Sequence, residues 1–179
     1  MKRVLCTLAA VLVAVSAFAG TDAKMDTMTP QQAMASMSNC PVCSVWMQDP
    51  ALGPTIRHSM FATKNGYVEM LSTADAAMIP SFQKADAECE KRAAGIGAMA
   101  ADQKAKLCPL CSGMVKFMGR SDVTLENFKT DMGVITVASS NTPDGVKALH
   151  DYATMNKAFG DKLAQAGEMM SKEPAKAKM

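Results

Sequence analysis

Apolar and β-branched residues are concentrated in four short runs, which pair into two predicted β-hairpins. In the first hairpin, Lys64-Asn65-Gly66 forms the turn, and Asn-Gly between two β-capable runs is a strong short-range hairpin signal. Asp131-Met132-Gly133 stands at the matching place in the second hairpin. We therefore expect strands at 56–63, 67–72, 123–130 and 133–138.

Apolar positions recur at helical spacing after each hairpin. The first of these helices is expected from about Asp75 to Ala94, with Thr73 as N-cap and an interruption or kink at Pro80. The second helix begins at Pro143-Asp144-Gly145. Its apolar positions are Val146, Leu149, Tyr152, Phe159 and Leu163.

A five-residue motif precedes each hairpin. Cys40-Pro41-Val42-Cys43-Ser44 is nearly repeated as Cys108-Pro109-Leu110-Cys111-Ser112, sixty-eight positions later. Proline suits the first position of a helix, so each motif is expected to open a short helix with both cysteines on its first turn.

The two halves of the chain therefore share one order of elements, namely a short cysteine-bearing helix, a β-hairpin and a long helix. Phe61 and Phe128 are sixty-seven positions apart, so the halves align with a single gap. A hairpin with one helix buries too little apolar surface to be stable alone. We predict an α+β tandem duplication over 38–167, with repeats at about 38–97 and 106–167, whose four-stranded antiparallel sheet has helices packed on it.

The segments outside this domain have a different composition. Lys2 and Arg3 precede an apolar run, and Ala17-Phe18-Ala19 fits a signal-peptidase site, so 1–19 is predicted to be a secretory signal peptide. Residues 20–37 are predicted to form a flexible Met-rich linker, and 168–179 a disordered tail.

Removal of the signal peptide would leave a formally neutral chain. Residues 1–19 contain two of the 19 basic residues and none of the 17 acidic ones, which leaves 17 of each. Such a chain offers no electrostatic footprint for nucleic acid, and its later segments lack an apolar run long enough to span a bilayer. We expect a secreted or periplasmic protein without stable membrane association.

Cysteine carries the most informative chemistry in the sequence. Two thiols at positions i and i+3 on the first turn of a helix can face one point, and the helix N-terminus there favours thiolate. One hypothesis is that both pairs enclose a soft cation, Zn²⁺ or Cu(I), for metal handling or for structure. Its ligands would be Cys40, Cys43, Cys108 and Cys111. The motif resembles the cysteine knuckle of rubredoxins and zinc ribbons, with Ser44 and Ser112 where those knuckles usually carry glycine.

Two other interpretations use the same four cysteines. CPxC also resembles the active-site motif of glutaredoxins and exported thiol-disulfide oxidoreductases, which implies cycling between dithiol and disulfide. The third interpretation is a binding module stapled by inert disulfides, which four cysteines can form in three ways.

Other candidate residues extend these hypotheses. Cys89 has no counterpart in the second half and is expected to be a buried free thiol; His58 and His150 are the first candidates for a wider metal site. The methionine count of 17 fits either an adaptable core or soft thioether ligands. No nucleophile elbow, phosphate-binding loop or metalloprotease motif is present, so binding is expected rather than catalysis.

Overall fold

A computed structural model of the chain describes residue 25 and residues 27–172. The predicted signal peptide at 1–19 and residues 173–179 of the predicted tail lie outside this range. The helices described below include none with an apolar stretch long enough to cross a bilayer.

Four antiparallel strands form one sheet. They are β1 (Ile56–Thr63), β2 (Gly66–Thr73), β3 (Val123–Thr130) and β4 (Gly133–Ser140). Their order in the sheet is β1-β2-β4-β3, so each hairpin stays intact and the two hairpins join through β2 and β4. The predicted α+β class and four-stranded antiparallel sheet are confirmed, while the duplication itself stays a prediction.

Within the described residues, five α-helices pack around the cysteine motifs and on one side of the sheet. They are α1 (Pro30–Asn39), α2 (Ile79–Ala94), α3 (Ala101–Lys104), α4 (Pro109–Val115) and α5 (Pro143–Lys172). Single turns of 3₁₀ helix lie at Cys43–Met47, Gly53–Thr55, Ala76–Met78 and Ile96–Ala98. The long helix α5 packs across β1, β2 and β4, while α1 and α4 pack against α5.

Two predicted termini of helices differ in detail from the structure. A 3₁₀ turn, Ala76–Met78, precedes α2 and is capped by Asp75, whose carboxylate accepts from the Ala77 N–H at 2.9 Å. The Thr73 hydroxyl is buried; it donates to Thr55 Oγ1 at 2.8 Å and accepts from the Asp75 N–H at 3.3 Å, while α2 itself begins after Met78 without a side-chain cap. Pro80 lies in the first turn of α2, where it needs no backbone donor, and the predicted interruption is the change from the 3₁₀ turn Ala76–Met78 to α-helix at Ile79.

The segments flanking the domain contain more helix than the composition indicates. Within the predicted linker, Thr29 caps α1 through a capping box with Gln32, as the Thr-Pro start of this segment suggests. Helix α5 continues to Lys172, so it includes the first residues of the predicted tail.

Glycine begins both central strands because the neighbouring backbone lies very close. A Cβ atom added at Gly66 would lie 2.0 Å from the carbonyl oxygen of Ala138, and one added at Gly133 would lie 2.1 Å from that of Leu71. These contacts are at the two ends of the β2–β4 pairing. The pairing of β2 with β4 therefore depends on glycine at both positions, because a side chain there would collide with the opposite strand.

We expect Gly66→Ala and Gly133→Ala each to lower the free energy of unfolding by about 1–3 kcal/mol, because the added methyl group forces the central strands apart. Gly53→Ala is the matched control, since no atom lies within 4 Å of its added Cβ. Chemical denaturation of the three variants measures the effect. Equal stability of all three would show that the close approach is not needed.

Candidate metal centre

Each cysteine motif folds into one helical turn. The Cys40 carbonyl accepts from the Ser44 N–H at 3.1 Å, and the Cys108 carbonyl accepts from the Ser112 N–H at 2.9 Å. This turn places the first and fourth residues on the same side, so both sulfurs of a pair face one point. Ser44 and Ser112 are helical, which explains why these positions do not need the glycine of a knuckle.

The structure brings the two pairs together although sixty-eight positions separate them in the sequence. The sulfurs of Cys43 and Cys111 are 3.3 Å apart, those of Cys43 and Cys108 are 3.6 Å apart, and those of Cys40 and Cys111 are 3.7 Å apart. All four sulfurs lie within 4.8 Å of one another. The cysteine cluster, defined as Cys40, Cys43, Cys108 and Cys111, is thus a single site.

These distances fit a tetrahedral metal site. Four sulfurs with metal–sulfur bonds of about 2.3 Å lie about 3.8 Å apart at the corners of a tetrahedron. A disulfide would need about 2.05 Å. All five cysteines in the described part of the chain are free thiols in the structure.

Apolar side chains enclose the cluster. Each of its four cysteines is at most 5% exposed. Trp46 from the first 3₁₀ turn packs on Phe82 of α2 with ring centroids 5.2 Å apart, and both rings belong to the same buried core as the sulfurs. Because water is excluded, charge on the sulfurs must be balanced by the protein or by a bound cation.

The sulfurs influence one another's protonation. Hydrogen bonding to Cys108, and then to Cys111 and Cys43, lowers the pKa of Cys40, although burial opposes this shift. Hydrogen bonding to Cys108 raises the pKa of Cys111. The pKa of Cys43 is also raised, first by hydrogen bonding to Cys108 and then by hydrogen bonding to Cys111. Without a cation, the cluster therefore favours a thiolate at Cys40 and neutral thiols at Cys43 and Cys111.

Arg92 brings a positive charge to the first motif. Its guanidinium donates to the Pro41 carbonyl oxygen and to Ser44 Oγ, both at 3.3 Å, and Glu88 holds it from the same helix at 2.9 Å. This residue was missed by the sequence analysis because charged residues are normally assigned to the solvent side of a helix. The available signal was the spacing of Phe82, Ala85, Cys89 and Arg92, which places all four on one face of α2.

Cys89 lies beside the cluster but is not one of its four members. It is partly buried against the same core. Hydrogen bonding to Cys43, with a smaller contribution from Trp46, lowers the pKa of Cys89, although burial opposes this shift. The expectation of a free thiol agrees with the structure. Cys89 is therefore a neighbour of the site and provides a matched control for its ligands.

The two histidines form hydrogen bonds outside the cysteine cluster. His58 Nε2 lies 2.9 Å from Glu69 Oε1, which also accepts from the Asn156 side chain at 3.0 Å. His150 Nε2 lies 2.9 Å from the Thr63 carbonyl oxygen. Neither histidine belongs to the cluster, so the wider metal site considered from the sequence does not form in this structure.

Comparison with known proteins gave no matching family model and no significantly similar curated protein or solved structure.

We expect Zn²⁺ added to the metal-free protein to release at least two protons per ion. The raised pKa values keep Cys43 and Cys111 protonated at neutral pH, whereas metal coordination requires thiolates. Binding must consequently weaken as the pH falls. Calorimetric titration in two buffers of different ionisation enthalpy counts the protons. Release of less than one proton, or affinity independent of pH, would contradict this protonation pattern.

Proposed function

We propose that this protein is exported and binds one soft metal ion through the cysteine cluster, for metal handling or as part of its structure. The observation that carries this proposal is the convergence of four buried sulfurs within 4.8 Å of one another. Four thiolates in a closed shell are the ligand set of a structural zinc site, so Zn²⁺ fits best. Cu(I) shares the preference for thiolate and is the second candidate ion.

Burial separates this proposal from a catalytic metal site. A catalytic zinc ion keeps one position open for water or substrate, whereas here four protein sulfurs fill a tetrahedron inside an apolar shell. The bound ion would join the 3₁₀ turn at Cys43–Met47 to helix α4 and so connect the two halves of the chain. Its binding free energy would then add to the stability of the fold.

The proposed compartment gives the ion a second role. The predicted signal peptide at 1–19 would direct the chain out of the cytoplasm. Disulfides form and persist in the oxidising compartments outside it. Cys43 and Cys111, with sulfurs 3.3 Å apart, need only a small movement to be oxidised. A bound cation would hold these thiolates in place and protect them from disulfide formation.

We also infer that the two halves are copies of one ancestral unit. Three features support this: the repeated order of elements, the matching turns at the two motifs, and the matching close approaches at Gly66 and Gly133. A shared site between two copies would explain why each motif supplies half of a tetrahedral ligand set.

The thiol-disulfide redox hypothesis remains the alternative for the same residues. Cys40, whose pKa is lowered, has the thiolate character that attack on a disulfide requires. Its side chain is fully buried, however, so an external disulfide has no access to it in this conformation. Burial therefore favours metal binding over exchange.

The test is metal analysis of the anaerobically purified protein, with thiols counted on the same sample. We expect one ion per chain, loss of that ion in Cys108→Ser and Cys111→Ser, and retention in Cys89→Ser, since Cys89 lies outside the ligand set. Substitution of one ligand is expected to weaken binding by at least about 100-fold, because three thiolates leave an open tetrahedron.

Two results would contradict the proposal. One is a protein without metal whose four cluster cysteines are oxidised in pairs, which would favour a disulfide-stapled module. The other is a metal-free protein that reduces a model disulfide through Cys40, which would favour the redox alternative.

A further inference from the structure

The sheet has a second, apolar face that the helices do not cover. Residues paired across neighbouring strands share a face, so Phe61, Val68 and Val137 form one row. The adjacent row consists of Met70, Ile135 and Phe128. Together these six side chains form a continuous patch, which we call the open face.

Alternation along β2 shows that the open face points away from the helices. Tyr67 packs on Tyr152 of α5 with ring centroids 5.5 Å apart, and Glu69 accepts a hydrogen bond from Asn156 of the same helix. Val68 and Met70 alternate with these residues and so project from the opposite side. Within the described part of the chain, the largest side chains of the open face remain in solvent: Phe61 is 55% exposed, Phe128 51% and Met70 44%.

The open face carries little charge. Charged residues on this side of the paired strands are Arg57 and Glu126, which lie on the two edge strands β1 and β3. The centre, formed by β2 and β4, is uncharged. An exposed apolar patch with charges only at its rim is typical of a protein–protein interface.

We propose that a second copy of this chain covers the open face, sheet against sheet. The uncharged centre of the face, formed by β2 and β4, has nothing to attract an anionic membrane. Sheets of this kind pack face to face about 10 Å apart, as in β-sandwiches.

The pattern on the open face suits a two-fold contact. Phe61 lies on one edge strand in one row, and Phe128 lies on the other edge strand in the next row. A two-fold axis parallel to the strands therefore brings Phe61 of each copy next to Phe128 of the other. Such an isologous interface closes on itself and forms a dimer rather than a fibre.

The size of the face is adequate for a stable dimer. Four strands spaced about 4.8 Å apart and eight residues long, with a rise of about 3.3 Å per residue, give a footprint of about 500 Å² before the relief of the side chains is counted. A specific interface needs about 1,000 Å² of buried surface in total, or about 500 Å² per partner, so the face reaches this lower bound. This proposal uses the sheet alone and is independent of metal binding.

Sedimentation velocity of the full chain between about 1 and 100 µM tests the proposal, because this range covers the micromolar affinities expected of a small interface. We expect twice the mass of one chain. The double variant Phe61→Glu with Phe128→Glu is expected to weaken dimerisation by at least about 100-fold, since it places charge at the apolar contacts.

Leu125→Glu is the matched control. Leu125 lies on β3 like Phe128 and is 44% exposed, but it pairs with buried Ala138 and so belongs to the helix-covered side. We expect this variant to remain dimeric. Circular dichroism and metal content verify that each variant is folded, and Phe61→Ser with Phe128→Ser replaces the double glutamate variant if that one does not fold.

A wild-type chain that is monomeric over the whole concentration range would overturn the proposal by itself. So would a dimer that survives both double variants. A monomeric wild type that binds neutral lipid vesicles would assign the open face to a lipid surface instead.

Discussion

The meeting of four cysteine sulfurs in a water-excluded core is the interaction on which the rest of this structure depends. Thiolates in such a place are costly unless a cation or hydrogen-bond donors compensate them. Hydrogen bonds from the neighbouring thiols provide part of this compensation at Cys40. A soft dication would provide the rest, and its preferred tetrahedron matches the observed spacing of the sulfurs. The same contact connects the two halves of the chain, so site and fold are stabilised together.

The sheet supplies the frame that makes this contact possible. Its hairpins join at β2 and β4, where Gly66 and Gly133 allow the backbones to approach closely. Helix α5 then covers one side of the sheet and supports α1 and α4, the second of which carries Cys111. The other side remains apolar and open. The molecule thus has a buried cysteine cluster on one side of the sheet and an uncovered apolar surface on the other.

Local sequence signals predicted most elements of the fold. The residues at 64–66 and 131–133 predicted both hairpins because Asn, Asp and Gly favour tight turns between β-capable runs. Helical spacing predicted α2 and α5, although a 3₁₀ turn capped by Asp75 precedes the first of them. Arg92 could not be assigned to the site in this way, because its contact depends on how α2 lies against a segment about fifty positions earlier.

The sequence by itself determined the side-chain chemistry of the cluster: four cysteines in two CPxC turns, each of which aims its own pair of sulfurs at one point. Only the tertiary structure decided that the two points coincide, since their separation depends on how the halves are oriented through the sheet. It also directed His58 to Glu69, away from the cluster, because strand pairing places these two residues on the side of α5. Motif spacing is a local property of the backbone, whereas the meeting of distant motifs and the exposure of one sheet face are consequences of packing.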